Sequence, residues 1–393
     1  MRKLINNFVK KYPELSQKIA YKLLYKDQFN VNLDLCNPNQ KRVLISYITL
    51  TGFDFSKVRH ASFYHLNQIL HYFVSNDYCV DLCRMDDMGA YDRLKHNKYD
   101  VLLGFGPVYK EFCKSHSISV RICFVMENNP VVVREKYKER IEFFKKRHPN
   151  LDPSGSTPRM RYFDEETFRL SSSGILMTSQ YNARSFAPYF TKLDLINSNA
   201  IYNLDYKFED NEVLSYIPSS RKNVLWFGSL GLIHKGLDIL IDAVGDLPNK
   251  QLNCYGVDVD DQKLFKKLKK HNTNDCGHIN VLSSLFIQKV VMQHNICVLP
   301  SCSEGMSTAV ATCMAHGIIP IVSRETGYND CPWIIQIEDV TVDSIKDAIS
   351  SFDALSDEEI LKMRHNCYTY ARESFSLENF SNSFTQIMDQ LIK

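Results

Sequence analysis

Residues 222 to 323 alternate short apolar runs with amphipathic stretches, and that alternation limits the fold more than any other feature of the chain. "NVLWFGSL", "QLNCYGV", "HINVLSS", "ICVLPS" and "IIPIVS" read as strands. "KGLDILIDAVGDL", "DQKLFKKLKKH", "SLFIQKVVMQHN" and "MSTAVATCMAHG" read as the helices between them. Strands joined through helices pair parallel, because a parallel connection needs a crossover of about a dozen residues or more. The first half shows the same pattern in "KRVLISYITLTG", "YCVDLCRM", "YDVLLGFG", "VRICFVME" and "GILMTS". Between the first two of these, "FYHLNQILHYFV" sets Phe63, Leu66, Ile69, Leu70 and Phe73 on one helical face. A chain of 393 residues exceeds what one hydrophobic core usually serves. The expectation is an α/β protein of two doubly wound domains facing a cleft.

The boundaries follow from composition. Residues 1–40 stand apart as a basic helical extension, and residues 41–205 form the first domain. Residues 206–221 read as a linker, and residues 222–375 form the second domain. Residues 376–393 close the chain as a helix expected to pack back toward the first domain. The extension carries Arg2, Lys3, Lys10, Lys11, Lys18, Lys22 and Lys26 against Glu14 and Asp27. It reads as a helical segment packed on the first domain. Alternatively, residues 1–26 rest on an anionic membrane surface. No apolar run approaches the ~18 residues that span a bilayer, and "MRKLINNFVKKYPELSQ" lacks the pattern of a signal peptide. The expected location is cytoplasmic, with peripheral contact to the membrane as the open alternative. A formal net charge of +2 gives no global reason to expect nucleic acid as a partner. Twelve cysteines without a repeating frame read as buried or free thiols of a reducing compartment.

In open parallel sheets, ligands bind beyond the carboxyl ends of the strands. Two loops there carry chemistry. In "FGSLGLIHKGLDILIDAV", Gly228 and Gly231 permit a tight turn, and Lys235 with Gly236 opens a helix. A lysine at a helix start opposes the local positive potential, unless both face an anion such as a phosphate. In "SCSEGMSTAVATCMAHGIIPIV", Glu304 precedes a helix expected from Met306 to His316. The N–H groups near Gly305, Met306, Ser307 and Thr308 offer a second anion site. Glu304 either caps that helix or accepts hydrogen bonds from the hydroxyls of a sugar. Asp258 to Asp260 read as helix-start acids rather than metal ligands, and "GFGP" (104–107) lacks a full dinucleotide fingerprint. Arg159 and Arg161 read as surface residues of an exposed loop.

"HKGLDILIDAV" followed by "SEGMSTAVATCMAHGIIPIVS" resembles the donor-binding domain of retaining glycosyltransferases of family four, the glycosyl transferases group 1. Their GT-B fold pairs two Rossmann-like domains. The resemblance covers most of residues 222 to 330 and the first domain only in outline. It implies that Lys235 holds the diphosphate of a nucleotide-sugar and that Glu304 contacts the donor sugar, these two being the expected catalytic residues. Gly305, Met306, Ser307 and Thr308 would hold sugar and phosphate, beside the turn at Gly228. By position alone, the first-domain loop that carries Gly52 faces the cleft and is a candidate to admit the donor phosphate. Two positions depart from the family. Ser229 stands where an arginine is usual, and Thr312 where a second glutamate binds the ribose. His234 is a candidate to stand in for the arginine. In the first domain, Glu127 and Asn128 end a strand where relatives place a histidine that touches the donor sugar.

The activity implied is metal-independent, retaining transfer from a nucleotide-sugar donor to a cell-surface or lipid-linked glycan, with no cofactor. Two alternatives stay open: a silent nucleotide-sugar-binding scaffold of a glycan-assembly complex, and a nucleotide-sugar epimerase of the same fold.

Overall fold

The structure, a computed structural model, describes residues 29–31, 39–49, 61–154, 156 and 162–392. The basic segment 1–28, Gly52, Arg159 and Arg161 lie outside the described residues. Strands β1 (Phe29–Val31), β2 (Arg42–Tyr47), β3 (Cys79–Arg84), β4 (Val101–Gly104), β5 (Val120–Val125), β6 (Ser173–Leu176) and β7 (Lys192–Leu195) form one sheet. Their order is β1-β3-β2-β4-β5-β6-β7, parallel except for β1, which runs antiparallel to β3. Strands β8 (Asn223–Phe227), β9 (Gln251–Tyr255), β10 (Thr273–Asp275), β11 (Ile296–Leu299), β12 (Ile319–Ser323) and β13 (Ile335–Ile337) form a second, wholly parallel sheet. Its order is β10-β9-β8-β11-β12-β13, so the winding reverses between the neighbours β8 and β11. That reversal opens a crevice above the two strand ends. β4 and β11 are buried along their whole length, which is why each reads as an unbroken apolar run.

Each half of the chain lends a helix to the other. Helix Pro130–Arg147 follows β5 of the first sheet, yet its Phe144 lies in the core of the second domain with Val224, Trp226 and Leu240. Arg147 from its last turn forms ion pairs with the buried Asp238 and with Asp242. In return, helix Leu377–Leu391 follows the second domain and buries Phe380, Phe384, Ile387 and Met388 in the first domain's core. Phe384 meets Tyr72 edge-on at 5.7 Å, and the Tyr72 hydroxyl donates to Asp389 at 2.9 Å.

Five local expectations are corrected. Residues 29–31, read as part of a helical extension, are an edge strand. Residues 210–220, read as linker, are a helix that buries Val213, Tyr216 and Ile217. The helix runs through Pro218, which lies in its last turn. The strand expected at 278–284 is absent. β10 ends at Asp275, and Gly277 with φ +64° turns the chain off the sheet edge. The helix expected over 306–316 spans only Thr308–Met314. Finally, among the described residues ten cysteines are free thiols, nine of them buried, but Cys79 is disulfide-bonded.

Two histidines pack inside the second domain as neutral rings. His294 Nδ1 donates to Val290 O at 2.8 Å and His316 Nδ1 to Thr312 O at 2.8 Å. Burial pushes each down to about 4. A folded-state pKa below the unfolded one means that the unfolded chain takes up protons first as pH falls. Stability is therefore fully present above the ordinary histidine range and is lost as pH drops from about 6.5 toward 4. Each ring contributes about 3 kcal/mol to that loss. Urea midpoints measured between pH 7.5 and 4.5 should fall over this window, and replacing both rings with Phe should flatten the slope.

Candidate functional site

The first site loop follows β8. The Gly228 N–H donates to Tyr255 O at 3.1 Å, and a Cβ there would lie 2.6 Å from the Trp226 ring. The buried Asp261 carboxylate then accepts from the N–H groups of Gly231 at 2.7 Å and Leu232 at 3.0 Å. Burial pushes this carboxyl up, and the two N–H donors pull it back. The N–H of Lys235 donates to Gly231 O at 2.7 Å, closing the turn. Gly236 has φ +69°, and its Cβ would meet Pro300 O at 2.3 Å, so a side chain does not fit. Helix Leu237–Gly245 starts after it. Lys235 thus stands just outside the helix it was expected to open, and the loop amides of 231 and 232 are already held by Asp261. "DVDDQ" carried the only sequence signal for that acid, as an aspartate before a helix.

The second loop follows β11. His234 Nε2 donates to Ser303 O at 2.5 Å, and His234 Nδ1 lies 3.6 Å from Cys302 Sγ. The Cys302 N–H donates to His234 O at 2.8 Å. These bonds stitch the two loops together. Both ring nitrogens of His234 take part in this stitching, and the residue also lines the cavity described below. Held this way, Lys235 Nζ and Glu304 Oε1 meet at 2.5 Å, although they are 69 residues apart in sequence. Their side chains are 4% and 10% exposed. Ser301 Oγ lies 3.0 Å from the same carboxylate oxygen.

The loop is pressed against the first domain at Gly305. A Cβ on this residue would lie 2.4 Å from Met126 O and 3.0 Å from Met177 O. Among the described residues, the N–H groups of Gly305, Met306, Ser307 and Thr308 make no hydrogen bond. The helix that follows has only seven residues, so the free amides themselves, rather than a long helix dipole, are what this loop offers an anion. Thr312 is buried, and its hydroxyl accepts from the Ile201 N–H at 3.1 Å. It ties the crossover between the domains to the short helix, and it also lines the cavity described below.

The two loops border one cavity of about 460 Å³ between the domains. Gly228, Ser229, His234, Lys235, Glu304, Gly305, Met306, Ser307, Thr308 and Thr312 line it from the second domain, and Glu127 and Asn128 from the first. Of the sequence-derived candidates, only Gly52 is not placed, because it lies outside the described residues. Sequence reasoning missed His65, Tyr162, Phe163 and Val281, which also line the cavity. His65 lies on helix Ala61–Ser75, whose apolar periodicity hid it. The volume falls in the range of small-molecule sites, about 300–1,000 Å³. Among the described residues no helix is long and apolar enough to cross a membrane.

Residues 221–351 match the sequence family described as glycosyl transferases group 1. No curated protein matches the chain in sequence. Three solved structures show the fold. The sucrose-phosphate synthase of Thermosynechococcus elongatus superposes with a TM-score of 0.62 at 16% identity, covering 90% of this chain and 99% of that one. HepE of Anabaena, in complex with UDP-glucose, gives 0.59 at 11% identity, with 90% and 100% covered. WaaG, a glycosyltransferase involved in lipopolysaccharide biosynthesis, gives 0.54 at 13% identity, with 88% and 99% covered. The architecture is GT-B.

Replacing Gly305 tests the domain contact. Gly305→Ala should cost about 1–3 kcal/mol, as overpacking against fixed backbone does. Denaturant unfolding reads the loss, and an unchanged midpoint contradicts the close approach of the two domains.

Proposed function

We propose that the chain is a retaining glycosyltransferase that moves a sugar from a nucleotide-sugar to a glycan or lipid-linked glycan acceptor, without a metal. The observation that carries this reading is the buried Lys235–Glu304 pair at the winding reversal between β8 and β11, facing the interdomain cavity. The group 1 match over residues 221–351 supports it, as do structural neighbours whose descriptions include UDP-glucose and lipopolysaccharide biosynthesis.

Sugar transfer develops positive charge on the ring and negative charge on the departing diphosphate. Lys235 and the free amides of residues 305–308 supply fixed donors for that negative charge. Before the donor arrives, Glu304 neutralises Lys235, and each offsets the burial of the other. On binding, the ammonium turns to the diphosphate and the carboxylate to the hydroxyls of the sugar. Glu127 and Asn128 face the same space from the first domain and are placed to orient the sugar or its acceptor. Peripheral attachment to an anionic membrane, through residues 1–26, belongs to the same reading and would bring a lipid-linked acceptor to the cleft.

Lys235→Ala should lower turnover roughly a hundredfold or more, as loss of one charge-stabilising donor does. It also takes the cation away from the buried Glu304 carboxylate, a stability cost of about 3–5 kcal/mol. The Lys235→Ala/Glu304→Gln double variant separates the two effects. It should recover stability but not turnover, measured by thermal unfolding and by release of nucleoside diphosphate from UDP-, GDP- and dTDP-sugars. Near-normal turnover in either variant rejects the proposed role.

A further inference from the structure

The loop after β6 reaches across the cleft. Thr178 and Ser179 in it, and Asn182 in the short helix Gln180–Ala183 that follows, are all buried, two to six residues beyond the end of the strand at Leu176. Thr178 Oγ1 donates to the carbonyl of Gly305 at 2.9 Å. Asn182 Nδ2 donates to the carbonyl of Glu304 at 3.1 Å and lies 3.5 Å from that of Glu325. Ser179 Oγ donates to Asn329 Oδ1 at 2.9 Å, and the Gln180 N–H donates to Asp330 Oδ2 at 3.0 Å. The carbonyls of two successive residues in the second domain's loop are therefore both received by side chains of the first domain.

The same peptide is fixed from its own side. The Glu304 N–H donates to Glu325 O at 2.9 Å. Gly327 has φ +88°, and a Cβ on it would lie 1.9 Å from Gly305 O. With its carbonyls and its first N–H committed, this stretch turns the Glu304 side chain, paired with Lys235, and the residues from Gly305 onward to the cavity.

We infer that Thr178 and Asn182 are positioning residues for Glu304, holding its peptide from the opposite domain so that the carboxylate takes its working place only when the domains are closed on each other. This rests on the transferase reading above. Neither side chain lines the cavity, so each acts through the peptide it holds. Orientation errors of about 1 Å at a reacting centre can cost on the order of a hundredfold in rate.

The test uses the full chain with Thr178→Val, Asn182→Ala and the conservative Thr178→Ser. Two readouts are taken: amide hydrogen exchange of the peptide spanning 303–308, and steady-state hydrolysis of UDP-, GDP- and dTDP-glucose. In T178V and N182A, exchange in this peptide should rise. kcat should fall roughly 10- to 100-fold while KM for the donor changes less than about twofold. T178S, which keeps the hydroxyl, should restore both. Faster exchange with unchanged kcat overturns the positioning role, and unchanged exchange overturns the contact. If the wild type turns over no nucleotide-sugar while exchange responds to the variants, the transferase reading fails and the cross-domain hold on the peptide stands.

Discussion

A lysine and a glutamate that are each nearly out of water cannot stand alone, because an isolated buried charge costs several kcal/mol. Lys235 and Glu304 solve this by meeting at 2.5 Å. Much of the second domain exists to bring them together. Asp261 folds the loop after β8, and Gly236 lets the chain pass Pro300. His234 then binds that loop to the one after β11. The pair is compensated but not idle. Both charges border a cavity large enough for a small molecule, so a ligand with its own anion and hydroxyls can take over both partners.

The two domains are held close by contacts that neither could make alone. Helix Pro130–Arg147 gives Phe144 and Arg147 to the second domain, and the terminal helix gives Phe380 and Phe384 to the first. Arg140, from the same transferred helix, is buried with its guanidinium 3.0 Å from the carbonyl of Pro300. This exchange stiffens the back of the cleft. At its mouth the contact is finer, backbone against backbone at Gly305, with Thr178 and Asn182 bonded to the peptide beside Glu304. The site is therefore a property of the interface, not of the second domain by itself.

The alternation of strand and helix, and the two loops that border the cavity, were legible because both have local signatures. A parallel strand buried on both faces reads as an apolar run, and a loop after such a strand is where ligand-facing residues collect. Residues whose meaning depends on a distant partner were not legible. The bond from the Ile201 N–H to the Thr312 hydroxyl leaves no trace in the local sequence pattern. Helix Pro130–Arg147 reads as a charged surface helix, and nothing in its own pattern says that Arg147 meets Asp238 across the domain boundary. "HINVLSS" has the composition of a strand, yet it leaves the sheet edge, and its Val281 turns up in the cavity wall. Fold class is set by local pattern, whereas these assignments are set by contacts long in sequence.

The most direct measurement is a crystal structure of the protein soaked with a nucleotide-sugar. The account predicts the diphosphate within hydrogen-bond reach of Lys235 Nζ and the amides of residues 305–308, with Glu304 released from the lysine and bonded to sugar hydroxyls. A nucleotide-sugar seated elsewhere, with the ion pair still closed at 2.5 Å, would contradict it.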